Sequence, residues 1–338
     1  MSKTALRPNV TRPRPAASEV ATERSGGASH VRIDTADPRP SVALDRSVLM
    51  CGCASEAMEL LPARSVQTVV TSPPYWSLRD YEMDRQIGRD DPLNQYLLSI
   101  VDMFEKLHRV LSDDGTVWLN VGDAYTSGNR RYRAPDKKNR ARAISVRPTT
   151  PQGLKPKDLI GLPWRLAFAL QDAGWWLRSE VIWHKPNAHP ESVRDRPTKA
   201  HETVFLLSKS QDYYYDVDAV RGPNQRRLRT VWDIPTEPQR RNAEDDDHPA
   251  MMPMTLARRC VAITSRPNDV VLDPYAGSGT TLLAARDLGR KWVGVELNPT
   301  FVDLIERRIN AHTPNLFATT EPTRLSIPAE WALAESAT

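Results

Sequence analysis

The sequence predicts an α/β fold in which helices cover a mostly parallel sheet. Apolar, strand-like segments alternate with amphipathic, helix-like segments along most of the 338 residues, as in sheets whose strands are joined by crossover helices. Two strand-like segments end in abrupt turns, "VVTSPPYW" at 69–76 and "VVLDPYAGSGTT" at 270–281. Because α/β folds bind ligands at the carboxyl ends of strands, these two turns are the first candidates for a functional site.

The first half of the chain supplies five of the expected elements. "SVLMCG" (47–52) predicts a strand, "AMELLPA" (57–63) a short helix and "VQTVVT" (66–71) the next strand. Residues 92–111 carry apolar side chains at helical spacing along one stripe, which predicts an amphipathic helix. "GTVWLNVGD" (115–123) leaves a glycine turn and predicts a further strand.

The second half continues the alternation after a basic segment. Residues 159–174 predict a helix closed by Gly174, and "WWLRSEVIWHK" and "TVFLLSKS" predict two strands. The last unit is predicted as helix, strand, turn, helix, strand, helix, in the order "MTLARRCVAIT", "DVVLDP", "YAGSGTT", "LLAARDLG", "KWVGVEL" and "PTFVDLIERRINAH". No internal repeat is present.

Positive charge is concentrated in two segments of a chain whose formal net charge is only +4. Residues 129–147 hold eight Lys and Arg against Asp136 alone, and "RGPNQRRLR" spans 221–229. Clustered Lys and Arg indicate a polyanionic partner, because each phosphate contact favours a cation. The candidate contacts are Arg130, Arg131, Arg133, Lys137, Lys138, Arg140, Arg226, Arg227 and Arg229.

Cysteine usage and hydropathy exclude several classes of protein. Cys51, Cys53 and Cys260 form neither a disulfide framework nor a zinc pattern, so we expect a reducing compartment and no metal. We expect no contact with a membrane, because no apolar run is long enough to span a bilayer and the N-terminus lacks an apolar signal core. A cytoplasmic protein is therefore predicted.

The glycine turn (residues 274–280) predicts a nucleoside-binding site. Gly277 and Gly279 join a buried strand to a helix, and glycines there allow a sharp turn and close ligand approach. Glu296 ends the following strand, 17 residues after Gly279, near the spacing at which an acid reaches ribose hydroxyls. A purely structural turn is the alternative.

Two familiar phosphate-binding interpretations of the glycine turn fail. A P-loop needs Lys where Thr280 stands, and a dinucleotide fingerprint needs a third glycine where Leu282 stands. A nucleoside cofactor without a pyrophosphate fits better, and S-adenosylmethionine is such a molecule. Asp273 is then a candidate acceptor for its methionyl ammonium.

The proline turn (residues 72–76) must leave the sheet at Pro73 and Pro74. Proline lacks the N–H that a strand ladder needs and fixes φ, so the turn holds Tyr75 and Trp76 at a strand end. An ordinary stiffened loop would be the simplest interpretation of the dipeptide alone.

With both turns in one chain, the sequence resembles the amino-group DNA methyltransferases over roughly 47–312. The glycine turn follows the proline turn, which resembles the permuted β-class order. Further matching segments are "SEVIWHKPNAHPES", "RPTKAHETVFLLSKS", "DYYYDVDAVR" and the run before the glycine turn. The resemblance implies a Rossmann-like fold dependent on S-adenosylmethionine, with helices on both faces of the sheet and an inserted DNA-recognition region.

The resemblance also assigns site residues. The catalytic tetrapeptide corresponds to Ser72, Pro73, Pro74 and Tyr75, and serine followed by Pro-Pro-Tyr-Trp resembles the cytosine-N4 enzymes. The implied cofactor pocket contains Asp273, Pro274, Gly277, Gly279, Thr280 and Glu296, with Asp123 as a further member. Lys185 and Glu202 are expected to support the active site. His184 fits either that role or a packed strand end, and Trp175, Trp176 and Trp183 fit the core better than a base-stacking role.

The same resemblance divides the chain into functional segments. Residues 1–40, rich in Pro, Ala, Ser, Arg and Gly, are expected to be disordered, and 314–338 form a loose tail. The catalytic half covers 41–208 and includes the basic loop 129–147. A target-recognition insertion follows at 209–248, and the cofactor-binding half covers 249–313.

By the resemblance, the enzyme extrudes a base from double-stranded DNA and methylates its exocyclic amino group directly. Tyr75 is expected to stack on that base while the Ser72 hydroxyl and the Pro73 carbonyl accept its amino hydrogens. A bacterial or phage-encoded restriction–modification role is implied, with any cleavage assigned to a separate endonuclease.

Several alternatives stay open at the level of sequence. They are DNA adenine-N6 methylation, methylation of a protein amide nitrogen, a catalytically inactive DNA-binding module and, more remotely, a nicotinamide oxidoreductase. Cytosine-C5 chemistry is disfavoured because that family uses a Pro-Cys pair, whereas Met50, Gly52 and Arg259 precede the three cysteines.

Overall fold

A computed structural model describes residues 22–25, 28–32, 42–77, 83, 85–126, 149–237, 251–311 and 323–327 of the chain. Its strands are β1 (Thr22–Ser25), β2 (Ala28–Arg32), β3 (Val48–Cys51), β4 (Val66–Thr71), β5 (Leu111–Val121), β6 (Trp176–His184), β7 (His201–Ser208), β8 (Val231–Asp233), β9 (Val270–Asp273), β10 (Lys291–Glu296) and β11 (Thr323–Ser326). Its helices are α1 (Ala54–Leu60), α2 (Leu93–Val110), α3 (Leu162–Asp172), α4 (Met254–Thr264), α5 (Thr280–Asp287) and α6 (Pro299–Ala311).

The strands form one sheet in the order β1-β2-β11-β3-β10-β9-β4-β5-β7-β6-β8. The run from β2 to β5 is parallel throughout. Only β1 against β2 and β7 against its neighbours β5 and β6 pair antiparallel among the described strands. The predicted mostly parallel α/β fold is therefore confirmed.

Alternating side chains give the sheet two hydrophobic faces. On β4, Val69 packs into a core with α1, α2 and α3, whereas Val70 packs into a second core with α4, α5 and α6. Val117 and Trp118 on β5 divide in the same way, as the two-residue period of a strand requires. Helices cover both faces, as predicted.

The crossovers place the two candidate turns side by side. Strand β9 lies against β4, with Thr68 opposite Val271 and Val69 opposite Leu272. The chain passes from β9 through α5 to β10 on one side, and from β4 through α2 to β5 on the other. Crossovers that diverge in this way open a crevice at the carboxyl ends of the two strands, where open α/β sheets bind ligands.

Four strands were not predicted, and three of them correct the segment assignments. β1 and β2 lie within 1–40, and β11 lies within the predicted loose tail 314–338. Each of these strands has four or five residues, too few for an apolar alternation to be visible in the sequence. β11 lies between β2 and β3, so its structure comes from tertiary pairing rather than local pattern. The fourth, β8, lies within the predicted recognition insertion.

Two global properties can be stated for the described residues. None of their helices is long and apolar enough to cross a membrane. No group of three or more His, Cys, Asp or Glu side chains among them is placed to hold a metal ion.

Candidate active site

The proline turn is fixed from below by the helix that follows it. The Tyr96 hydroxyl of α2 donates to the Pro74 carbonyl at 3.0 Å, and Tyr96 itself is fully buried. The Trp76 indole, 4% exposed, donates its Nε1–H to the Asp91 carbonyl at 2.8 Å. Trp76 therefore anchors the turn in the core, whereas Ser72 and Tyr75 keep part of their surface exposed.

Direct hydrogen bonds join the proline turn to the glycine turn. Thr71, the last residue of β4, donates its hydroxyl to Asp273 Oδ1 at 2.8 Å. From the other side, Thr281 at the start of α5 donates to the Val70 carbonyl at 3.2 Å. The two predicted half-sites therefore form one crevice.

The glycine turn has the backbone that the sequence predicted. Gly279 adopts φ 77° as the N-cap of α5, and a Cβ there would lie 3.0 Å from Ile305 Cγ2. Gly277 also has a positive φ, 55°, and donates its N–H to Glu296 Oε2 at 2.8 Å. Glycine is required at both positions because side chains are disfavoured at positive φ.

Two buried carboxyl groups line the glycine turn. Burial raises the pKa of Asp273 to about 6, although hydrogen bonds from Thr71, Thr281 and the Tyr275 N–H oppose the rise. Burial likewise raises the pKa of Glu296 to about 7, against hydrogen bonds from the Asn298 and Gly277 N–H groups. Such carboxyl groups have spare acceptor positions, which suit the hydroxyl and ammonium groups of a nucleoside cofactor.

A hydrogen-bonded carboxylate network stands beside the proline turn; it consists of Ser72, Tyr75, Asn120, Lys185 and Glu202. The Tyr75 hydroxyl donates to Glu202 Oε2 at 2.6 Å and accepts from Ser72 Oγ at 3.2 Å. Asn120 Nδ2 donates to the Tyr75 hydroxyl at 3.0 Å and to Glu202 Oε2 at 2.9 Å. The Lys185 ammonium donates to Glu202 Oε1. Together these contacts fix the orientation of the Tyr75 ring.

Sheet topology explains why these residues meet. Strand β7 runs antiparallel to β5, so its first residues lie at the edge where β4 and β5 end. Glu202 is therefore brought to Tyr75, and Lys185 follows directly after the end of β6, which pairs with β7. The predicted supporting residues Lys185 and Glu202 thus contact the proline turn or its carboxylate network, whereas Asn120 was not predicted.

Glu202 is ionised despite its burial. Its side chain is 16% exposed, and burial alone would raise its pKa. The Lys185 ammonium and the hydrogen bonds from Lys185, Tyr75 and Asn120 outweigh that effect and lower the pKa. The nearby Lys199 shows the opposite balance, since burial lowers its pKa although Asp123 and Glu202 attract the proton.

Two further features of β5 and the residues after it shape the site. A Cβ on Gly122 would lie 2.6 Å from Tyr75 Cε2, so glycine lets the ring pack directly on the backbone. Asn120 Oδ1 is buried, with no hydrogen-bond donor in the described part of the chain. A buried acceptor left unpaired is costly, which indicates that a ligand donor or water completes this position.

Three predicted residues take positions outside the expected ones. Asp123 Oδ1 accepts from the N–H of Ala124 at 2.9 Å and of Leu162 at 3.0 Å, so it holds the start of α3. His184 pairs with Asp233 Oδ1 at 2.6 Å, across from β8 and away from the carboxylate network. Trp176 is 44% exposed, so its assignment to the core is wrong.

The predicted DNA-contacting arginines divide into two groups. Arg226, Arg227 and Arg229 are exposed, and no acidic partner faces them among the described residues. They follow a tight turn closed by a 2.7 Å hydrogen bond from the Gly222 N–H to the Arg226 carbonyl. The candidates within 127–148, namely Arg130, Arg131, Arg133, Lys137, Lys138 and Arg140, lie outside the described residues.

Comparisons with known proteins agree with this geometry. A family model described as DNA methylase, of the N6 and N4 type, matches residues 66–307. The chain is 52% identical over 277 residues to the Type II methyltransferase M.Cfr9I of Citrobacter freundii, covering 81% of this chain and 91% of that protein. It is 51% identical over 283 residues to M.XycI of Xanthomonas campestris pv. cyanopsidis, covering 82% of this chain and 92% of that protein.

Solved structures share the fold. The S-adenosyl-L-methionine complex of TTHA0409, a DNA modification methylase from Thermus thermophilus, superposes with a TM-score of 0.60 at 26% identity, covering 84% of this chain and 99% of that one. The cytosine-N4-specific PvuII DNA methyltransferase superposes with a TM-score of 0.61 at 20% identity, covering 82% of this chain and 90% of that one.

Proposed function

The chain belongs to the DNA methylase family of N6 and N4 methyltransferases, and on that premise we propose that it methylates the exocyclic N4 of cytosine at specific sites in double-stranded DNA. The methyl donor is S-adenosylmethionine. One observation carries the proposal: the Ser-Pro-Pro-Tyr-Trp turn ends β4 directly beside the glycine turn that ends β9. The choice of cytosine rests on Ser72, because serine followed by Pro-Pro-Tyr-Trp is typical of the cytosine-N4 members.

The described residues fit this methyl donor. Glu296 keeps acceptor capacity beside the Gly277 N–H, which suits ribose hydroxyls. Asp273, held by Thr71, suits the methionyl ammonium. Pro274, Gly279 and Thr280 complete the proposed wall of the pocket, with Asp123 a more distant candidate. When bound, the sulfonium supplies a methyl group to a nucleophile without needing a metal.

The proline turn is proposed to orient the nucleophile. An exocyclic amino nitrogen is poorly nucleophilic because its lone pair is delocalised into the ring, and within a duplex it is out of reach. Tyr75, braced by Glu202, offers its ring to an extruded base. Ser72 Oγ and the Pro73 carbonyl accept the amino hydrogens and leave the nitrogen lone pair directed at the methyl group. This is catalysis by orientation and by placed acceptors.

The test of function is nucleoside mass spectrometry of DNA treated with the purified protein and S-adenosylmethionine. We expect N4-methylcytosine, lost when Tyr75→Ala removes the stacking ring. N6-methyladenine instead would retain the mechanism and overturn the assignment of cytosine. Neither mark on DNA of varied sequence, despite binding of labelled S-adenosylmethionine, would indicate an inactive DNA-binding module.

Affinity for S-adenosylmethionine is predicted to fall in mild acid. The pKa of Glu296 in the free protein is about 7, so below that pH the carboxyl group is protonated and must lose its proton to accept from the ribose. Asp273, with a pKa of about 6, adds the same effect at lower pH. The dissociation constant should therefore rise as pH falls below about 7, by up to about tenfold per pH unit for one linked proton, and level off above about pH 8.

Isothermal titration between about pH 5.5 and 8.5, in two buffers of different ionisation enthalpy, measures both the affinity and the protons released. Proton release on binding near pH 6 is expected from the pKa of Asp273 and Glu296. An affinity that is constant or increases towards that pH would contradict these roles for the two carboxyl groups.

The relatives are Type II methyltransferases, so we propose that a separate cognate restriction endonuclease cleaves the same sites when they are unmethylated. Residues 209–248 are proposed to recognise the target sequence, together with the basic loop 129–147. A bacterial or phage-encoded cytoplasmic enzyme stays a prediction.

A further inference from the structure

We propose that Ser72, Tyr75 and Glu202 form a proton relay that removes the proton released when the target amino group is methylated. This inference rests on the proposed function, and it applies equally to cytosine N4 and adenine N6. It follows from three contacts: the Ser72 hydroxyl donates to the Tyr75 hydroxyl at 3.2 Å, the Tyr75 hydroxyl donates to Glu202 Oε2 at 2.6 Å, and Glu202 is one carboxylate in a hydrogen-bonded ion pair with Lys185.

The direction of the hydrogen bonds is the first support. Tyr75 Oη already accepts from Asn120 Nδ2 at 3.0 Å and from Ser72, so its own hydrogen is directed to Glu202. Ser72 Oγ, by donating to Tyr75, turns its lone pairs towards the cleft. An amino hydrogen of the target base can therefore enter the chain at Ser72 while a different hydrogen leaves it at Glu202.

Atoms and charges balance over the step. The N–CH₃ bond forms as the S–CH₃ bond breaks, and the bonding electron pair stays on sulfur. The methylated nitrogen loses one proton to Ser72 Oγ, the Ser72 hydroxyl proton moves to Tyr75 Oη, and the Tyr75 proton moves to Glu202 Oε2. The products are the methylated base, neutral thioether and a protonated Glu202, which returns its proton to solvent after the base leaves.

The charges around Glu202 suit a temporary acceptor. Lys185 faces Oε1, while Tyr75 and Asn120 face Oε2. Lys199 is a further cation near the carboxylate, and its own field includes Asp123 and Glu191. A nitrogen that has just gained a fourth bond is strongly acidic, so an acceptor of ordinary basicity is enough, and the flanking cations favour prompt reset of the carboxylate.

Tyr75→Phe tests the relay because it keeps the stacking ring and removes only the hydroxyl link. In single-turnover methylation with saturating S-adenosylmethionine and DNA, the wild-type rate should be independent of pH between about 6.5 and 9. The variant should be slower, on the order of 100-fold near neutrality, and its rate should rise with pH and with imidazole buffer as hydroxide or buffer takes the proton. Its affinities for DNA and S-adenosylmethionine should match those of the wild type.

A second variant keeps the inference testable if Tyr75→Phe disturbs the turn. Glu202→Gln with Lys185→Met removes both charges together, so no unpaired ion is left buried, and it should give the same pH-dependent loss. Difference infrared spectroscopy between this variant and wild type should show an ionised carboxylate near neutral pH. Asp233→Asn, which breaks the exposed His184 pair at the neighbouring strand end, is the matched control and should leave the rates unchanged.

The outcomes separate the relay from the function beneath it. Wild-type protein that methylates no DNA would overturn the proposed function. Wild-type methylation with a Tyr75→Phe rate that equals it, or that is slower yet independent of pH and buffer, would overturn the relay and leave Tyr75 as a positioning residue only.

Discussion

Replacing Ser72 with alanine should lower the turnover number for DNA methylation by about 100- to 1,000-fold, the cost typical of removing one group placed to stabilise a transition state. The hydroxyl oxygen is the side-chain acceptor that the proline turn presents at its first position. Alanine cannot accept an amino hydrogen of the target base, and it interrupts the contact from Ser72 to Tyr75. The effect should be confined to the chemical step.

Binding should survive this substitution. Asp273 is held by Thr71 rather than by Ser72, and Glu296 is held by the Gly277 and Asn298 N–H groups. The dissociation constant for S-adenosylmethionine should therefore change by less than about twofold, and the stability by less than about 0.5 kcal/mol, as for other substitutions that leave no buried group unpaired.

Ser99→Ala provides the matched control, since this serine lies on α2 and donates to the Gln95 carbonyl of its own helix. Single-turnover kinetics and isothermal titration measure the two quantities. Equal turnover by Ser72→Ala and Ser99→Ala would exclude Ser72 from the chemical step, and a parallel loss of cofactor affinity would show that the substitution disturbs the crevice.

The local elements could be predicted because their sequences carry strong periodic signals. The apolar stripe in 92–111 predicted α2, which the structure bounds at Leu93 and Val110. The spacing from Gly279 to Glu296 anticipated the approach of the glycine turn to this acid, which the contact from the Gly277 N–H to Glu296 confirms. In both cases the interacting residues lie within one helix or one strand–turn–helix–strand unit.

The carboxylate network could be predicted only in part, because it depends on long-range strand order. Glu202 is 127 residues from Tyr75, and Asn120 is 45 residues from it. They meet because β7 reverses direction beside β5, which no local pattern encodes. β11 escaped prediction for a similar reason, since only its place between β2 and β3 makes its four residues a strand.

Neutralising Arg226, Arg227 and Arg229 together should weaken binding to duplex DNA, by about 100-fold near 0.1 M salt. All three side chains are exposed, and no acidic residue in the described part of the chain neutralises them, so their charge is available to phosphates. Trp232 fixes their segment by donating its Nε1–H to the Arg229 carbonyl at 2.7 Å. Strand β8 then pairs with the last residues of β6, next to Lys185.

This pairing places the arginines within reach of DNA at the active-site crevice. Arg229 precedes Asp233 by four residues, or about 13 Å of extended chain, and Asp233 lies opposite His184 at the sheet edge where the crevice opens. Each lost phosphate contact should reduce the slope of log affinity against log salt by about one. A slope smaller by about three, with unchanged affinity for S-adenosylmethionine, is therefore the specific signature.

Arg46, Arg64 and Arg266 supply a control that loses the same charge, and each is exposed. They precede β3, β4 and β9, so they lie at the opposite edge of the parallel sheet, where no DNA contact is expected. Fluorescence anisotropy with one duplex at several salt concentrations compares the two triple alanine variants. If both variants bind DNA like the wild type, phosphate recognition belongs to other residues, with the basic loop 129–147 the next candidate. If both lose affinity equally, the effect reflects net charge alone, because a field spread over the whole protein is insensitive to which three arginines are removed.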